Sequence, residues 1–256
     1  MIEDLLPPGA YAVETFDDSD ADEQLPQLES TLVAGAAPGR RREFTTARLT
    51  ARRALARAGL PVVPIPTGEF GEPRWPPGVI GSITHCAGYR AAAVAPAGSV
   101  PVLGIDAEPD LPLPSGVLEA ITRPAELARL RALDRAAPGR APWGRLLFSA
   151  KESAYKAWFP LGRRRLDFVE ADADIGADGS FRVMLRVRGP LLNGERVTGF
   201  TGRWATRGGL LLTAASAVVT APRETHASPR RDHQDHQDHH DHQDPKIRQI
   251  RQIQQS

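Results

Sequence analysis

Two short acidic motifs constrain the fold of this chain more than any other feature of its sequence. Residues 102–106 are mostly apolar, so they predict a buried strand that delivers Asp106 and then Glu108 at its end. Side chains alternate between the two faces of a strand, so we expect both carboxylates on the same face. The first motif therefore predicts a core strand that ends in two carboxylates.

The second motif, residues 148–156, predicts a helix. Apolar side chains in and around it recur at steps of three and four residues, which is the spacing of one inward-packing helix face. These positions are Leu147, Ala150, Ala154 and Ala157. Glu152 and Lys156 lie one turn apart on the same helix, so their side chains are neighbours.

Three carboxylates and two lysines in this arrangement are typical of a metal-assisted phosphate site. Hard cations such as Mg²⁺ bind carboxylate oxygens and complete their octahedron with waters and substrate phosphates. Taken alone, each motif has an ordinary alternative, a solvated strand end or a surface Glu/Lys pair, because short acidic patterns recur by chance. The combination is far more specific. It makes Asp106, Glu108 and Glu152 the candidate metal ligands.

Further blocks stand in order along the chain beside the two motifs. They are Arg40–Phe44 with Arg48 and Arg52, then Gly71–Pro76, then Gly81–Tyr89. With these blocks, the sequence resembles the 4′-phosphopantetheinyl transferase family from about residue 40 to residue 218, and it is close to actinobacterial members of the longer, monomeric class. The resemblance implies an α+β fold of two similar lobes, related by a pseudo-twofold axis, with the active site in the cleft between them.

We expect three parts along the chain. The N-terminal lobe covers residues 1–101, and the C-terminal lobe, with both acidic motifs, covers residues 102–221. Residues 222–256 form a tail rich in His, Gln and Asp. Its small apolar content cannot offset the entropy of ordering, so the tail is predicted to be disordered.

Periodicity and turn residues predict the remaining elements, although many Gly and Pro residues blur their boundaries. The predicted helices cover residues 38–58, 124–133 and 143–158. The predicted strands cover residues 10–13, 62–65, 79–83, 91–95 and 181–187. A hairpin of residues 201–206 and 210–215 is expected to turn at Gly208–Gly209.

The resemblance implies an enzyme that transfers the 4′-phosphopantetheine arm of coenzyme A to a serine of apo acyl carrier or peptidyl carrier proteins, releasing adenosine 3′,5′-bisphosphate. Mg²⁺, or Mn²⁺ in its place, would be the cofactor. Glu152 is also the family's usual base, but a metal ligand has a lowered pKa, so a bound water stays an alternative. Lys151 and Lys156 would contact phosphates, and Lys156 would stabilise the leaving group.

Several residues would hold the coenzyme if the resemblance carries over. The forked guanidinium group of arginine suits a 3′-phosphate. Ser82 lies in the strand predicted over residues 79–83 and His85 follows it, and the resemblance implies that both contact the coenzyme. The arginines are Arg40, Arg48 and Arg52. One position departs from the family: Glu72 stands where many members have a lysine, so a nucleotide contact there depends on Arg74.

Composition limits the class of protein and its compartment. With 256 residues, 41% of them hydrophobic, the chain can bury a real core, and a net charge of +1 does not suggest a general polyanion binder. The one cysteine, Cys86, excludes an internal disulfide. The sequence shows no leader and no apolar run of membrane-spanning length, so we expect a cytoplasmic protein without membrane or nucleic-acid partners. The family resemblance implies that it is a monomer.

Three other interpretations remain open from the residues themselves. The arginines between residues 40 and 53 could form a basic helix that binds nucleic acid. The tail carries ligands that suit Ni²⁺, Zn²⁺ or Cu²⁺, which would make a metal-sequestering protein. Cys86 beside His85 could form a nucleophilic pair, but nothing supplies a third group to orient it.

Overall fold

The computed structural model describes residues 1–220. The predicted disorder of residues 222–256 lies outside the described residues. The helices are α1 Gln27–Ser30, α2 Pro38–Arg57, α3 Val117–Ile121, α4 Pro124–Ala136 and α5 Trp143–Gly162. The strands are β1 Tyr11–Thr15, β2 Val79–Cys86, β3 Tyr89–Pro96, β4 Gly104–Pro109, β5 Ala171–Ile175, β6 Ser180–Leu185, β7 Leu191–Leu192, β8 Glu195–Arg207 and β9 Leu210–Thr220.

The first lobe is a three-stranded antiparallel sheet with α2 packed against it. The strand order is β1-β3-β2, so the predicted strand near residues 10–13 is an edge strand of this sheet. Helix α2 begins at Pro38, a favoured first position because proline lacks an amide hydrogen that the first turn would leave unbonded. Its buried face packs Ala51, Ala54 and Leu55 against β3.

The second lobe is a larger antiparallel sheet, ordered β4-β9-β8-β6-β5, with β7 beside β8. Helix α5 crosses it, and the four apolar positions predicted for its inward face are all buried. The β8–β9 hairpin turns at Gly208 and Gly209, whose positive φ angles of 58° and 76° suit the predicted tight turn. The α+β architecture of two lobes is confirmed.

The two sheets meet where β2 runs beside β4. The contact uses side chains in place of a backbone ladder: the Ile105 amide donates to Ser82 Oγ and the Ala107 amide donates to Thr84 Oγ1, each at 3.0 Å. One apolar cluster also joins the lobes, because Ile2 packs with residues of β3, β4 and β9. The strand that carries the first acidic motif is thereby fixed to both lobes.

Some predicted elements are wrong or incomplete. No strand forms at residues 62–65, where Pro61, Pro64 and Pro66 remove the amide donors that a ladder needs. Helix α5 continues to Gly162 through Pro160. Strands β5 and β7 and the short helices α1 and α3 were not predicted. Among residues 1–220, the helices include none that is both long and apolar enough to cross a membrane.

Candidate active site

A cleft of about 630 Å³ opens where the two lobes face each other. One wall is the 70–75 segment and β2 of the first lobe, and the other is the C-terminal half of α5. Ser82 and Lys156, both predicted coenzyme contacts, lie on opposite walls, together with Glu72 and Arg74. Parts of three sequence blocks therefore line one cavity, namely the 71–76 turn, the start of the 81–89 block and the second motif. Its lining does not include Asp106, Glu108, Glu152, His85 or Arg48.

Asp106 is the best-held carboxylate of the site. It is buried in β4, and Lys156 Nζ from α5 lies 2.7 Å from its Oδ1. Ser149 Oγ donates to Oδ2 at 2.8 Å, and Thr84 Oγ1 donates to Oδ1 at 3.3 Å. Donors from β2 and α5 thus fix the carboxylate where strand, helix and cleft meet.

Glu108 is held by a residue that the sequence interpretation missed. Arg145 Nη1 lies 2.5 Å from Glu108 Oε2, and the same guanidinium donates to the carbonyls of Leu111 and Pro112. Burial, and next the charge of Asp106, raise the pKa of Glu108 to about 7 against the opposing effect of Arg145. Arg145 precedes Glu152 by seven residues, two helical turns, so the shared face was a usable signal.

The three predicted metal ligands are all buried, with Glu152 on α5 one turn before Lys156. Within residues 1–220, however, no group of three or more His, Cys, Asp or Glu side chains is arranged to hold a metal ion. In this structure Asp106 is paired with Lys156 and Glu108 with Arg145. Mg²⁺ usually takes only one or two carboxylates plus waters and substrate phosphates, so the donor chemistry fits such an ion without a preformed cage.

Gly104 sets the separation between β4 and α5. A Cβ at this position would lie 1.9 Å from the Ser153 carbonyl oxygen and 2.7 Å from the Ala157 amide nitrogen, both backbone atoms of α5. Only a residue without a side chain allows the two backbones to approach so closely. The glycine of the first motif therefore determines how near the carboxylates of β4 come to Glu152 and Lys156.

Arg40 and His85 are in contact beside the cleft. Arg40 Nη1 lies 3.4 Å from His85 Nε2, and since a guanidinium only donates, Nε2 is the acceptor and the imidazole is neutral. Burial, and next the charges of Arg40 and Lys156, lower the pKa of His85 to about 3. Arg40 carries the positive charge of this pair, and Glu43 Oε2, 3.5 Å from Arg40 Nη1, offsets part of it.

Arg48 is a buried arginine with spare donor capacity. Its Nη2 donates to Thr67 Oγ1 at 3.0 Å and its guanidinium lies 4.5 Å from the ring centre of Phe44. Burial lowers its pKa to about 10. Within the described part of the chain, its Nε is a buried donor with no hydrogen-bond partner. Such an unsatisfied charged donor favours a polyanionic ligand.

Two predicted coenzyme contacts are corrected by the structure. Arg52 Nη1 lies 2.5 Å from Glu29 Oε2, and Glu29 is fully buried and also accepts from the Ile65 amide. Arg52 therefore neutralises a structural glutamate. Lys151 is buried against Glu126, and three protein oxygens already accept from its ammonium group, so it has no donor left for phosphate.

Two interpretations left open by the sequence lose their support. Burial raises the pKa of the Cys86 thiol to about 12, so it is protonated and a poor nucleophile beside the neutral His85. The basic stretch of α2 is not an exposed stripe, because Arg48 is buried and Arg52 is paired with Glu29. Glu72, which stands where many family members have a lysine, accepts a hydrogen bond from the Phe70 amide at 3.1 Å within the same turn.

A buried carboxylate held beside a lysine at an interlobe cleft suits an enzyme that acts on a phosphate group. Residues 28–95 match the 4′-phosphopantetheinyl transferase N-terminal domain, and residues 102–206 match the 4′-phosphopantetheinyl transferase superfamily. The chain belongs to the 4′-phosphopantetheinyl transferase family and is an enzyme of that kind.

Curated relatives from actinobacteria resemble the chain over most of its length. The 4′-phosphopantetheinyl transferase Svp of Streptomyces mobaraensis is 48% identical over 228 residues, covering 88% of this chain and 92% of that relative. PptT of Mycobacterium tuberculosis is 45% identical over 210 residues, covering 80% and 90%. Npt of Nocardia iowensis is 44% identical over 224 residues, covering 84% and 98%.

Proposed function

We propose that this enzyme transfers the 4′-phosphopantetheine arm of coenzyme A to a serine hydroxyl of apo acyl carrier or peptidyl carrier proteins. The other product is adenosine 3′,5′-bisphosphate, and the cofactor is Mg²⁺, with Mn²⁺ able to replace it. One observation carries the proposal: buried carboxylates of β4 face Lys156 of α5 beside the interlobe cleft. Carboxylates for a hard cation beside an ammonium group suit a diphosphate.

The reaction forms one P–O bond and breaks another. The serine oxygen attacks the phosphorus next to pantetheine, and the bond from that phosphorus to the adenosine bisphosphate oxygen breaks. The bound metal would neutralise charge on the diphosphate, and Asp106, Glu108 and Glu152 would hold it. Glu152, directly or through a water, accepts the serine proton. Lys156 exchanges its contact with Asp106 for the leaving phosphate.

The fold positions these groups on α5 and on two strands that are bound to each other. Hydrogen bonds of Ser82 and Thr84 attach β2 to β4. The strand that we expect to face the phosphates, β2, is thereby fixed to the strand that we expect to bind the metal, β4. Transfer between two bound reactants depends on such fixed geometry more than on covalent chemistry by the protein. The seam between the lobes is therefore the place where we expect the diphosphate.

The function is tested by intact-protein mass spectrometry. The purified enzyme is incubated with coenzyme A, Mg²⁺ and an apo acyl carrier protein, and the carrier should gain the mass of one phosphopantetheine group. Chelation of the metal and a serine-to-alanine carrier are the controls, and both should show no gain. An unmodified carrier with the complete mixture, under conditions in which a known transferase modifies it, would contradict the proposal.

The tail is a separate question. Metal sequestration by the His and Asp residues beyond residue 221 lies outside the described residues, and the proposal for the cleft does not depend on it. A chain that ends at Ala221 should transfer phosphopantetheine at the wild-type rate. Loss of transfer in this shortened chain would make the tail part of the enzyme's function.

We further propose that Arg40, Arg48 and His85 bind the 3′-phosphate of coenzyme A. Alanine at Arg48 or at His85 should weaken coenzyme A binding by about 10- to 100-fold and weaken dephospho-coenzyme A binding much less, because charge-assisted hydrogen bonds contribute about 1.5–3 kcal/mol. Calorimetry with both coenzymes measures the difference. Exposed Arg41 supplies the matched control, Arg41→Ala. Equal losses for the two coenzymes would remove the assignment.

A further inference from the structure

Lys151 and Glu126 form a buried ion pair behind the catalytic face of α5. Their side chains are 3% and 0% exposed, and Lys151 Nζ lies 2.8 Å from Glu126 Oε1. The ammonium also donates to the carbonyl oxygens of Ile121 at 2.9 Å and Phe168 at 2.8 Å. The end of α3 and the 3₁₀ turn that follows α5 are thus bound to the middle of α5 by one side chain.

Glu126 extends the same connection to two more segments. Its Oε2 accepts from the Arg123 amide at 2.8 Å, at the start of α4, and its Oε1 accepts from the Ala173 amide at 2.7 Å, in β5. Every donor and acceptor of the buried pair is therefore satisfied by a different part of the second lobe. A fully satisfied buried network of this kind specifies one arrangement of its elements.

Stability alone is a weak explanation for such a pair. The free-energy cost of removing two charges from water offsets much of the energy of their attraction. Well-packed apolar residues often stabilise a fold as well or better. Burial lowers the pKa of Lys151, which reflects this cost. The position of the pair offers another explanation, because Lys151 directly precedes Glu152 in α5.

The opposite side of the same helix segment is fixed by close packing. Gly104 of β4 approaches the backbone of Ser153 and Ala157, which prevents α5 from moving toward the sheet. On this face the contact at Gly104 sets the distance between α5 and β4, and Ser149 and Lys156 also bind Asp106. The ion pair anchors the helix from the side that faces α4 and β5, and so restricts rotation of the helix about its axis.

We propose that the Lys151–Glu126 pair is a positioning device that fixes the rotation of α5 and thereby the position of Glu152 relative to β4. This inference rests on the proposed function of the cleft. Lys151 and Glu126 are positioning residues, since they act through Glu152 and do not touch substrate. Their effect is expected on the metal site and on turnover, and not on affinity for coenzyme A.

The test separates positioning from stability with two variants. Lys151→Met leaves the charge of Glu126 buried and unpaired, so its melting temperature should fall. Lys151→Met/Glu126→Gln removes both charges and keeps an acceptor at position 126, so much of the melting temperature should return. In both variants kcat should remain about 10- to 100-fold below wild type, because a small misplacement of a catalytic group has effects of this size. KM for coenzyme A should stay unchanged.

Mn²⁺ binding gives a readout that does not depend on turnover. Titration followed by electron paramagnetic resonance, with coenzyme A present, should show weaker Mn²⁺ binding in both variants, measured where each is fully folded. Val183→Ala, which creates a cavity in β6 away from the cleft, is the control for destabilisation and should leave kcat and Mn²⁺ binding unchanged.

The outcomes are distinct. In the double variant, kcat and Mn²⁺ binding could recover together with the melting temperature. This result would reduce the pair to a structural role and overturn the inference. A Lys151→Met variant with wild-type kcat and Mn²⁺ binding would overturn it as well. If the wild-type enzyme does not modify the carrier protein, the proposed function of the cleft is wrong. If the wild-type enzyme is active and the variants match it, only the inference about the ion pair is wrong.

Discussion

Asp106→Asn should lower the rate of phosphopantetheine transfer by about 10³-fold at saturating Mg²⁺, with little change in melting temperature. Asparagine keeps the shape of the buried side chain but not the charge that a hard cation needs, and metal-borne charge stabilisation contributes several kcal/mol to such reactions. Glu152→Gln should act similarly. Glu108→Gln should be milder if a water replaces that ligand. Initial rates and thermal melts of the purified variants measure both quantities.

Asp174 offers a matched control for this experiment. It lies in β5 of the same lobe, its side chain is 69% exposed, and it is far from β4 in the strand order. Asp174→Asn should retain wild-type activity. If Asp106→Asn kept more than half of the wild-type rate, the metal site that we place on β4 would be wrong.

Gly104→Ala should cost both stability and activity. The added methyl would meet two backbone atoms of α5, and neither can move without displacing the helix. Overpacking of this kind costs about 1–3 kcal/mol, and a helix shifted away from β4 would misplace Glu152 and Lys156 and lower transfer by about 100-fold. Chemical denaturation and initial rates test the two effects separately.

The control for the added methyl is Gly35→Ala. Gly35 has ordinary backbone angles, and a Cβ there would meet nothing within 4 Å, so the substitution should change neither stability nor rate. Wild-type stability and rate in Gly104→Ala would show that the contact between β4 and α5 is not the constraint that we describe.

Much of the fold was predictable because its key elements have strong periodic patterns. The apolar positions of α5 and the glycine turn of the β8–β9 hairpin follow directly from spacing. The strand that carries Asp106 and Glu108 was predicted from its short apolar run. Residues 62–65 show the limit, because β-branched residues among prolines resemble a strand in composition but cannot form its hydrogen bonds.

The candidate site was predictable in its residue types but not in all its contacts. Lys151 and Lys156 have similar surroundings in the sequence, yet one lies in the core and the other at the cleft. Arg52 pairs with Glu29, 23 residues away, and Lys151 with Glu126, 25 residues away. Helical spacing determines which face a residue occupies, but the elements that cover that face are set by tertiary packing.

The most direct test of the account is the position of the metal. Crystals of the enzyme grown with coenzyme A and Mn²⁺ should give an anomalous difference peak between β4 and α5, within bonding distance of Asp106 and at least one of Glu108 and Glu152, with the coenzyme diphosphate as a further ligand. A peak on other residues, or a diphosphate bound away from the seam between β2 and β4, would contradict the assignment of this cleft as the transferase active site.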